Sequence, residues 1–260
     1  MIASTSARQR WSVHRTVTSA GTLTPTLTPS TIRFRAVAAS RAAELGDRDE
    51  RLRRLLNILV ASVGIVLTAP LMLLIALGIK LTSPGPVIYK QPRVGVDRRA
   101  SGGPGALNHR RESDRGGRIF TIFKFRTMRP AVATAQQVWA SRGDPRITRI
   151  GLALRACRLD ELPQLFNVLK GDMNIVGPRP EQPEIFQSLS EELGHYRRRQ
   201  RVLPGITGLA QVTLAYDASL DDVRRKVDLD LQYIRQRSAA RDLLIMAKTM
   251  PVMVMRKGSV

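Results

Sequence analysis

The chain has 260 residues, of which 43% are hydrophobic, and this is enough for a sizeable core. Lys and Arg number 42 against 21 Asp and Glu, so the net charge of +21 calls for an anionic partner: phosphorylated substrates, acidic lipids or nucleic acid. The single cysteine, Cys157, excludes an intramolecular disulfide framework, and the three histidines, His14, His109 and His195, share no metal-ligand spacing.

The first 45 residues differ in composition from the rest of the chain. Residues 1–45 are rich in Ser, Thr and Arg, have no acidic residue before Glu44 and show no apolar periodicity. Such a segment buries too little apolar surface to fold, so we predict a disordered N-terminal extension. Its composition resembles that of a transit peptide, and an upstream extension from a misplaced start codon explains it equally well.

An uncharged run then extends from Ile58 to Ile79, and it matches the roughly 20 residues of a membrane-crossing helix. Pro70 lies near its middle, where it removes a backbone hydrogen bond and bends the helix. Basic residues lie on both sides, which draws both ends toward the cytoplasm: Arg51, Arg53, Arg54, Lys80, Lys90 and Arg93. These features favour a re-entrant membrane helix over residues 51–81 that turns at Ala69 and Pro70. A spanning helix stays open, because prolines occur in spanning helices too.

Two short strands are predicted after the membrane segment. Pro and Gly residues surround Val87, Ile88 and Tyr89, which indicates a turn and a strand, and a second strand is predicted from Ile119 to Phe125. The segment between them, Asp97 to Arg118, is rich in Gly, Arg and Asn. We interpret residues 97–118 as a flexible insertion.

Beyond Ala131 the pattern is mostly helical. Glu181 to Arg201 is predicted to form one helix with a basic end. Pro204 to Gly208 is predicted to form a tight turn that leads into a short strand from Leu209 to Thr213. Leu220 to Met255 is predicted to form one or two amphipathic helices.

Two adjacent carboxylates, Asp160 and Glu161, begin the run LDELPQLFNVLKGDMNIVGPRP. Apolar residues recur after them at helical spacing, Pro163 is tolerated only near a helix start, and Gly171 is a natural stop. The pattern places the acidic pair in the first turn of a helix, where the dipole favours ionised carboxylates and attracts phosphate. An isolated Asp-Glu pair at this position is most often a helix cap, so a chemical role depends on its neighbours.

Basic residues accompany the acidic pair in nearby motifs. Singly, each is most often a solvated group or a surface ion pair, but Arg and Lys are also the side chains that bind phosphate oxygens. Pro178 and Pro180 fix the backbone on both sides of one of them and limit its motion. Together they predict a diphosphate site: Lys124 and Arg126 in FKFRTM, Arg155, and Arg179 in Pro-Arg-Pro.

From Arg51 onward the chain resembles the bacterial sugar transferases, the monotopic polyprenyl-phosphate phosphoglycosyl transferases built around one re-entrant membrane helix. The resemblance covers most of the chain and follows the family's order of motifs. It rests on the membrane segment with Pro70, SPGPVIYKQPRVG, FKFRTM, LDELPQLFNVLKGDMNIVGPRP, PGITGLAQV and DLDLQYIRQRSAARDLLIMAKTM.

The resemblance implies an α+β, mostly helical fold: a membrane-associated catalytic domain over residues 82–260, one N-terminal re-entrant helix and a few short strands. It implies transfer of a sugar 1-phosphate from a UDP-sugar to polyprenyl (undecaprenyl) phosphate with release of UMP, which initiates surface polysaccharide or glycoconjugate synthesis. The expected location is the bacterial inner membrane, with the catalytic domain facing the cytoplasm. The expected partners are UDP-sugar, polyprenyl phosphate and membrane lipids, and a homo-oligomer stays open.

The resemblance also implies roles for particular residues. Asp160 is the expected nucleophile of a phospho-aspartyl intermediate, a known use of carboxylates in phosphoryl transfer. Asp160 and Glu161 are the expected ligands of Mg²⁺, because a hard cation neutralises charge that develops on phosphate oxygens. Lys124, Arg155 and Arg179 match family positions linked with the active site. Arg126 is added from its charge and proximity alone.

Three features depart from the family pattern. Ala69 stands where a Ser is common, Arg158 replaces a small hydroxyl residue, and the 97–118 insertion is long. Arg158 either lowers the pKa of Asp160 or competes for phosphate. Arg158 and the long insertion motivate an alternative function, a non-catalytic membrane-anchored partner of glycan-assembly proteins. A nucleic-acid binder is disfavoured, because no binding motif accompanies the charge and aromatic residues are only 5%.

Overall fold

A computed structural model describes residues 29–97, 116–129, 144–214 and 220–254, with side chains given from residue 46 to residue 252 within these ranges. The chain divides into two contact units, residues 1–44 and residues 45–260. The second unit contains every element that builds the site. Most of the predicted 97–118 insertion lies outside the described residues.

The first helix, α1, spans Pro29–Thr82. Its backbone therefore includes residues 29–45, where the sequence predicts disorder; Ala is frequent there, and Ala has the highest helix propensity of any residue. Residues 1–28 of the predicted extension lie outside the described residues. The part Gly46–Thr82 is the one helix within the described ranges that is long and apolar enough to cross a membrane.

Helix α1 runs through Pro70 without ending there. The helix thus continues through Pro70, where the sequence predicts a break. A proline removes only one N–H donor, and the adjacent turns keep theirs. The re-entrant path of this segment stays a prediction.

Both halves of the apolar part of α1 pack on the rest of the second unit. In the first half, the Asn57 side-chain oxygen accepts a hydrogen bond from the Ile175 backbone N–H at 2.5 Å. In the second half, Gly78 lies so close to Ile150 that an added Cβ would be 2.6 Å from the Ile150 Cδ1. Ile79, one residue on, is 1% exposed. The globular part of the unit thus lies along one side of α1.

Two antiparallel strands follow, β1 (Ile88–Val94) and β2 (Ile119–Phe125). Ile88 pairs with Phe125 and Val94 pairs with Ile119. Both predicted strands are confirmed. The bounds of β2 match the prediction, and β1 starts within the predicted segment and extends farther, because pairing with β2 continues to Val94.

A second pair of strands, β3 (Asn174–Val176) and β4 (Gly205–Thr207), is parallel. The prediction for this region is wrong, because the strand lies in the predicted turn and Leu209–Thr213 forms the short helix α5. The Gly177 N–H donates to the Thr207 carbonyl at 2.9 Å. The strand thus forms because it pairs with a segment about 30 residues away in sequence. The local Pro-Gly pattern does not indicate this pairing.

The remaining helices surround these strands. The predicted helix from Glu181 to Arg201 is divided, because a 3-10 segment, Tyr196–Arg201, is separate from the helix before it. The region beyond Leu220 forms two helices, as predicted. The helices are α2 (Arg149–Ala156), α3 (Gln164–Lys170), α4 (Pro183–Glu192), α6 (Leu220–Gln236) and α7 (Ala239–Val254).

The largest core cluster joins α1, β2, β3, α6 and α7. It contains residues that are almost fully buried on each of these elements, such as Ala61, Ile122, Val176, Tyr233 and Ile245. Burial of the aliphatic side chains of Val and Ile among them contributes roughly 1.5 to 3 kcal/mol each. The mostly helical fold with a few short strands is as predicted, and this core holds β2 beside the acidic pair.

Candidate active site

A sharp change of backbone direction carries the acidic pair. Arg158 has φ 54° and ψ 21°, and it is the one non-glycine residue with positive φ in the described ranges. A 3-10 turn, Leu159–Glu161, follows it, and α3 begins only after Pro163. The pair therefore lies in a separate turn before the predicted helix, because the ring of Pro163 fits a helix start and supplies no N–H donor. Gly171 ends α3 with φ 83°, as predicted.

Glu161 is the centre of a buried ion-pair cluster. One of its oxygens, Oε1, accepts hydrogen bonds from Lys124 Nζ at 2.8 Å and from Arg179 Nη2 at 2.9 Å. Glu161 is 8% exposed. Burial opposes its ionisation, but Arg179 and Lys124 together outweigh burial and hold the pKa of Glu161 well below its usual range. Glu161 is therefore ionised at neutral pH.

The two cations of this cluster come from distant parts of the chain, β2 and the Pro-Arg-Pro segment. Burial lowers the pKa of Lys124, and the attraction of Glu161 opposes this change. Glu161 raises the pKa of Arg179 above the ordinary value for arginine. When Lys124 is protonated, the positive charges of Lys124, Arg155 and Arg179 outnumber the negative charges of Asp160 and Glu161 by one, and this surplus suits a phosphate.

Asp160 differs from Glu161, because its carboxylate has no hydrogen bond or ion pair with any described residue. Burial raises the pKa of Asp160 and the charge of Glu161 adds to the effect. Lys124, Arg155 and Arg179 act in the opposite direction. An unpaired carboxylate beside several cations has the properties of a nucleophile toward phosphorus.

Arg155, in the last turn of α2, is the third cation near the acidic pair. Its Nε donates to the Thr127 hydroxyl at 3.0 Å, and its Nη2 lies 3.3 Å from the Met128 sulfur. These contacts orient the guanidinium from one side. The structure therefore brings together Asp160, Glu161, Lys124, Arg155 and Arg179, as the sequence predicts.

The contacts of Arg126 point to a structural role. Its Nη1 donates to the Pro84 carbonyl at 2.6 Å, and its Nη2 donates to the Ser83 carbonyl and hydroxyl at 2.8 and 2.9 Å. Arg126 is 6% exposed. Its guanidinium thus binds the chain just beyond the C-terminal end of α1, and these contacts give no support to its predicted phosphate contact. Residues two apart, such as Lys124 and Arg126, lie on the same face of a strand. Because β2 ends at Phe125, this rule does not apply to Arg126.

Two arginines outside the predicted phosphate site support the Pro-Arg-Pro segment. Arg199 Nη2 donates to the Arg179 carbonyl at 3.0 Å, and its Nε is paired with Asp230 at 2.8 Å. Arg93 Nη1 donates to the Pro180 carbonyl at 3.0 Å. The VGPRP motif itself gives no hint of these partners, which lie in SPGPVIYKQPRVG and in the basic run after His195.

Mg²⁺ usually binds one or two carboxylates and completes its shell with water and phosphate oxygens. No group of three or more His, Cys, Asp or Glu side chains suited to a metal occurs in the described part of the chain. Asp160 and the second oxygen of Glu161 have no hydrogen bond to a described residue. These carboxylate oxygens fit a Mg²⁺ that takes its other ligands from a phosphorylated substrate.

The structure thus defines a class of protein: a domain packed along a membrane-length helix, with the unpaired carboxylate of Asp160 beside a buried cluster of cations. The protein family that the chain matches is consistent with this description. The chain belongs to the bacterial sugar transferase family, whose model matches residues 48–256. The family resemblance seen in the sequence motifs is confirmed.

Several curated proteins are similar to the chain. It is 43% identical over 198 residues to a UDP-N-acetylgalactosamine-undecaprenyl-phosphate N-acetylgalactosaminephosphotransferase of Aeromonas hydrophila, covering 76% of this chain and 42% of that protein. It is 40% identical over 206 residues to a UDP-glucose:undecaprenyl-phosphate glucose-1-phosphate transferase of Caulobacter vibrioides, covering 76% and 68%. The matched region thus spans 42% of the first relative's length and 68% of the second's.

Proposed function

We propose that this chain transfers a sugar 1-phosphate from a UDP-sugar to undecaprenyl phosphate and releases UMP. The observation that carries the proposal is the unpaired carboxylate of Asp160 beside the Lys124, Glu161 and Arg179 cluster. Two relatives named for undecaprenyl-phosphate transfer, from UDP-N-acetylgalactosamine and from UDP-glucose, support the donor and acceptor classes.

The proposed reaction has two steps. A carboxylate oxygen of Asp160 attacks the phosphorus that bears the sugar, the bond from that phosphorus to the bridging oxygen breaks, and UMP leaves with the bond's electron pair. A phosphate oxygen of the lipid then attacks the same phosphorus and displaces the Asp160 carboxylate. The products are UMP and a polyprenyl diphosphate sugar, and the enzyme returns to its starting state.

The cluster around Glu161 supplies charge in both steps. Lys124 and Arg179 place positive charge next to the reacting phosphorus, where negative charge develops on the phosphoryl oxygens. Because the pKa of Glu161 lies well below its usual range, Glu161 acts as an anion and not as a proton donor at neutral pH. Mg²⁺, held by Asp160, Glu161 and phosphate oxygens, would neutralise further charge on the diphosphate.

A re-entrant α1 explains how one domain reaches both substrates. The first half of the apolar segment bonds to β3 and the second half packs on α2, so both halves are fixed to the same domain. Large apolar side chains on the rest of the helix surface are exposed and suit lipid: Leu59, Val63, Val66, Leu67, Leu73, Leu74, Leu77 and Leu81. With basic residues at both ends, this helix would anchor the domain on the cytoplasmic face of the inner membrane.

The proposal is tested by UMP release from membranes that contain the chain. The assay combines Mg²⁺ and undecaprenyl phosphate with one UDP-sugar at a time, chosen from UDP-glucose, UDP-galactose and their N-acetylated forms. We expect sustained UMP release with at least one donor, together with a lipid-linked sugar diphosphate as the start of glycan assembly. A folded protein that releases no UMP with any donor would contradict the proposal and favour the non-catalytic partner role.

A further inference from the structure

A small cavity adjoins the acidic pair. It has a volume of about 110 Å³ and lies among α3, β4, α5 and α7. We call it the α3–α7 pocket. Arg158 and Glu161 form its polar end, and its other walls are mainly apolar: Leu162, Leu165, Ile206, Val212 and Val252.

The few polar side chains in these walls already have hydrogen-bond partners within the protein. The hydroxyls of Thr207 and Thr249 lie 2.9 Å apart in a hydrogen bond, and Gln211 Nε2 donates to the Ile206 carbonyl at 3.1 Å. Only Oε1 of Gln211 is buried there without a described partner. A sugar ring or a uracil would leave several of its own polar groups unsatisfied against such walls, which is costly.

The size of the α3–α7 pocket also limits its occupant. A cavity of roughly 150 Å³ lined by apolar residues can hold a benzene molecule, so this slightly smaller pocket suits a branched group of a few carbons. A nucleoside is larger. One prenyl unit has the required size and lacks polar groups.

The pocket lies between the acidic pair and the surface that suits lipid. Leu165, on its wall, contacts α1 at Gly64, where an added Cβ would lie 3.2 Å from the leucine methyl carbon. Next to wall residues of α3 and α7 are two apolar side chains that face outward, Phe166 at 45% exposure and Met250 at 63%. A chain leaving the pocket therefore finds an apolar surface nearby.

We propose that the α3–α7 pocket binds the first prenyl unit of the lipid phosphate acceptor, with Arg158 beside the acceptor's phosphate. The inference rests on the proposed function, because it assumes a lipid phosphate that attacks the phosphorus on Asp160. In such a lipid the first prenyl unit is bonded directly to the phosphate. That unit must therefore lie beside the acidic pair, and Glu161 is part of the pocket's wall.

The test fills the pocket with Val212→Phe and measures the two half-reactions separately. Without acceptor, the release of one UMP per active enzyme reports the donor half-reaction; with acceptor, the KM for undecaprenyl phosphate reports the second. We expect the variant to raise this KM by about tenfold or more, as crowding of an apolar site does, with an unchanged amplitude of UMP release. Thr213→Phe, the same change at the next and exposed position of α5, should alter neither value.

Val252→Phe fills the same pocket from α7 and guards against a local defect in α5. An unchanged KM in both pocket variants overturns the inference, and so does loss of the acceptor-free UMP release in both, because the pocket would then serve the donor. Wild-type protein that releases no UMP is a different outcome, since it contradicts the proposed function itself.

Arg158 is tested by two further variants. Arg158→Gly removes the charge, and glycine readily adopts the left-handed backbone conformation of this position. We therefore expect the KM for undecaprenyl phosphate to rise about tenfold. Arg158→Lys keeps the charge and should recover most of the affinity. Equal KM values for the Gly variant, the Lys variant and the wild type would remove Arg158 from the acceptor site.

Discussion

Two buried carboxylates of this chain, Glu161 and Asp242, have similar surroundings and different properties. Asp242, on α7, accepts a hydrogen bond from Arg53 Nε at 2.9 Å on one oxygen and from the Tyr233 hydroxyl at 2.7 Å on the other. Glu161 accepts both of its bonds, from Lys124 and Arg179, on a single oxygen. One carboxylate is thus fully bonded, and the other keeps an oxygen for a ligand.

The pKa values of the two groups shift in opposite directions. Burial raises the pKa of Asp242, and Arg53 and the neutral phenol of Tyr233 do not fully offset it. Burial acts on Glu161 in the same sense, but its two cations prevail and lower the pKa. A closed, charge-matched pair joins α1 to α7, whereas an open cluster with surplus positive charge can bind phosphate.

The largest expected effect is on Asp160, the unpaired member of the open cluster. Asp160→Asn keeps the shape and removes the nucleophile, so turnover with UDP-sugar and undecaprenyl phosphate should fall by at least about 10⁴-fold. Asp228→Asn, at an exposed carboxylate of α6, is the matched control and should keep full UMP release. Turnover near the wild-type value in Asp160→Asn would show that Asp160 is not the nucleophile.

The closed pair should respond in stability instead of activity. Asp242→Asn removes the buried counter-charge of Arg53 and leaves it only the half-exposed Glu50, at 3.1 Å, so we expect the free energy of unfolding to fall by up to about 3 kcal/mol. Denaturant titration in detergent measures this loss. The acceptor-free UMP release per folded molecule should stay the same; a selective loss of that release at full stability would place Asp242 in the chemistry.

Removing one cation from the open cluster should give a smaller loss. Lys124→Met leaves Glu161 with Arg179 alone and removes a donor near the reacting phosphoryl group, so the rate of acceptor-free UMP release should fall about 10²-fold. Lys90→Met changes an exposed lysine of the neighbouring strand β1 and is the control. If the two variants behave alike, the surplus charge at Glu161 has no catalytic role.

Some of the features behind these expectations can be predicted from the sequence, and others cannot. Local patterns predict β2 and the end of α3 at Gly171, because apolar spacing and a left-handed glycine are properties of neighbouring residues. The sequence also identifies Lys124 and Arg179, the partners of Glu161, because both lie in recognisable basic motifs. The sequence does not show that β4 pairs with β3, or that Arg126 binds the segment after α1. Those contacts join segments far apart in the chain, and no local periodicity encodes them.

The smallest expected effect is on the pH dependence of UMP release. The proposed nucleophile is ionised Asp160, so the rate should rise with pH through the Asp160 pKa, which lies above the ordinary value because of burial and Glu161. Arg155 acts to lower that pKa. Arg155→Gln should therefore move the acidic limb of the pH profile to higher pH.

Arg149→Gln, at an exposed arginine on the first turn of α2, provides the control for that shift and should leave the profile in place. A limb that moves to lower pH in Arg155→Gln, or equally in both variants, would contradict the electrostatic role of Arg155.

The most direct measurement of the central claim is the intact mass of the wild-type protein after incubation with its UDP-sugar and Mg²⁺ and without acceptor. The two-step reaction predicts a mass gain of one sugar phosphate, located by peptide mapping at Asp160 and removed when undecaprenyl phosphate is added. An unmodified Asp160 in protein that turns over with both substrates would contradict it, since the phosphoryl group would then pass directly from donor to lipid.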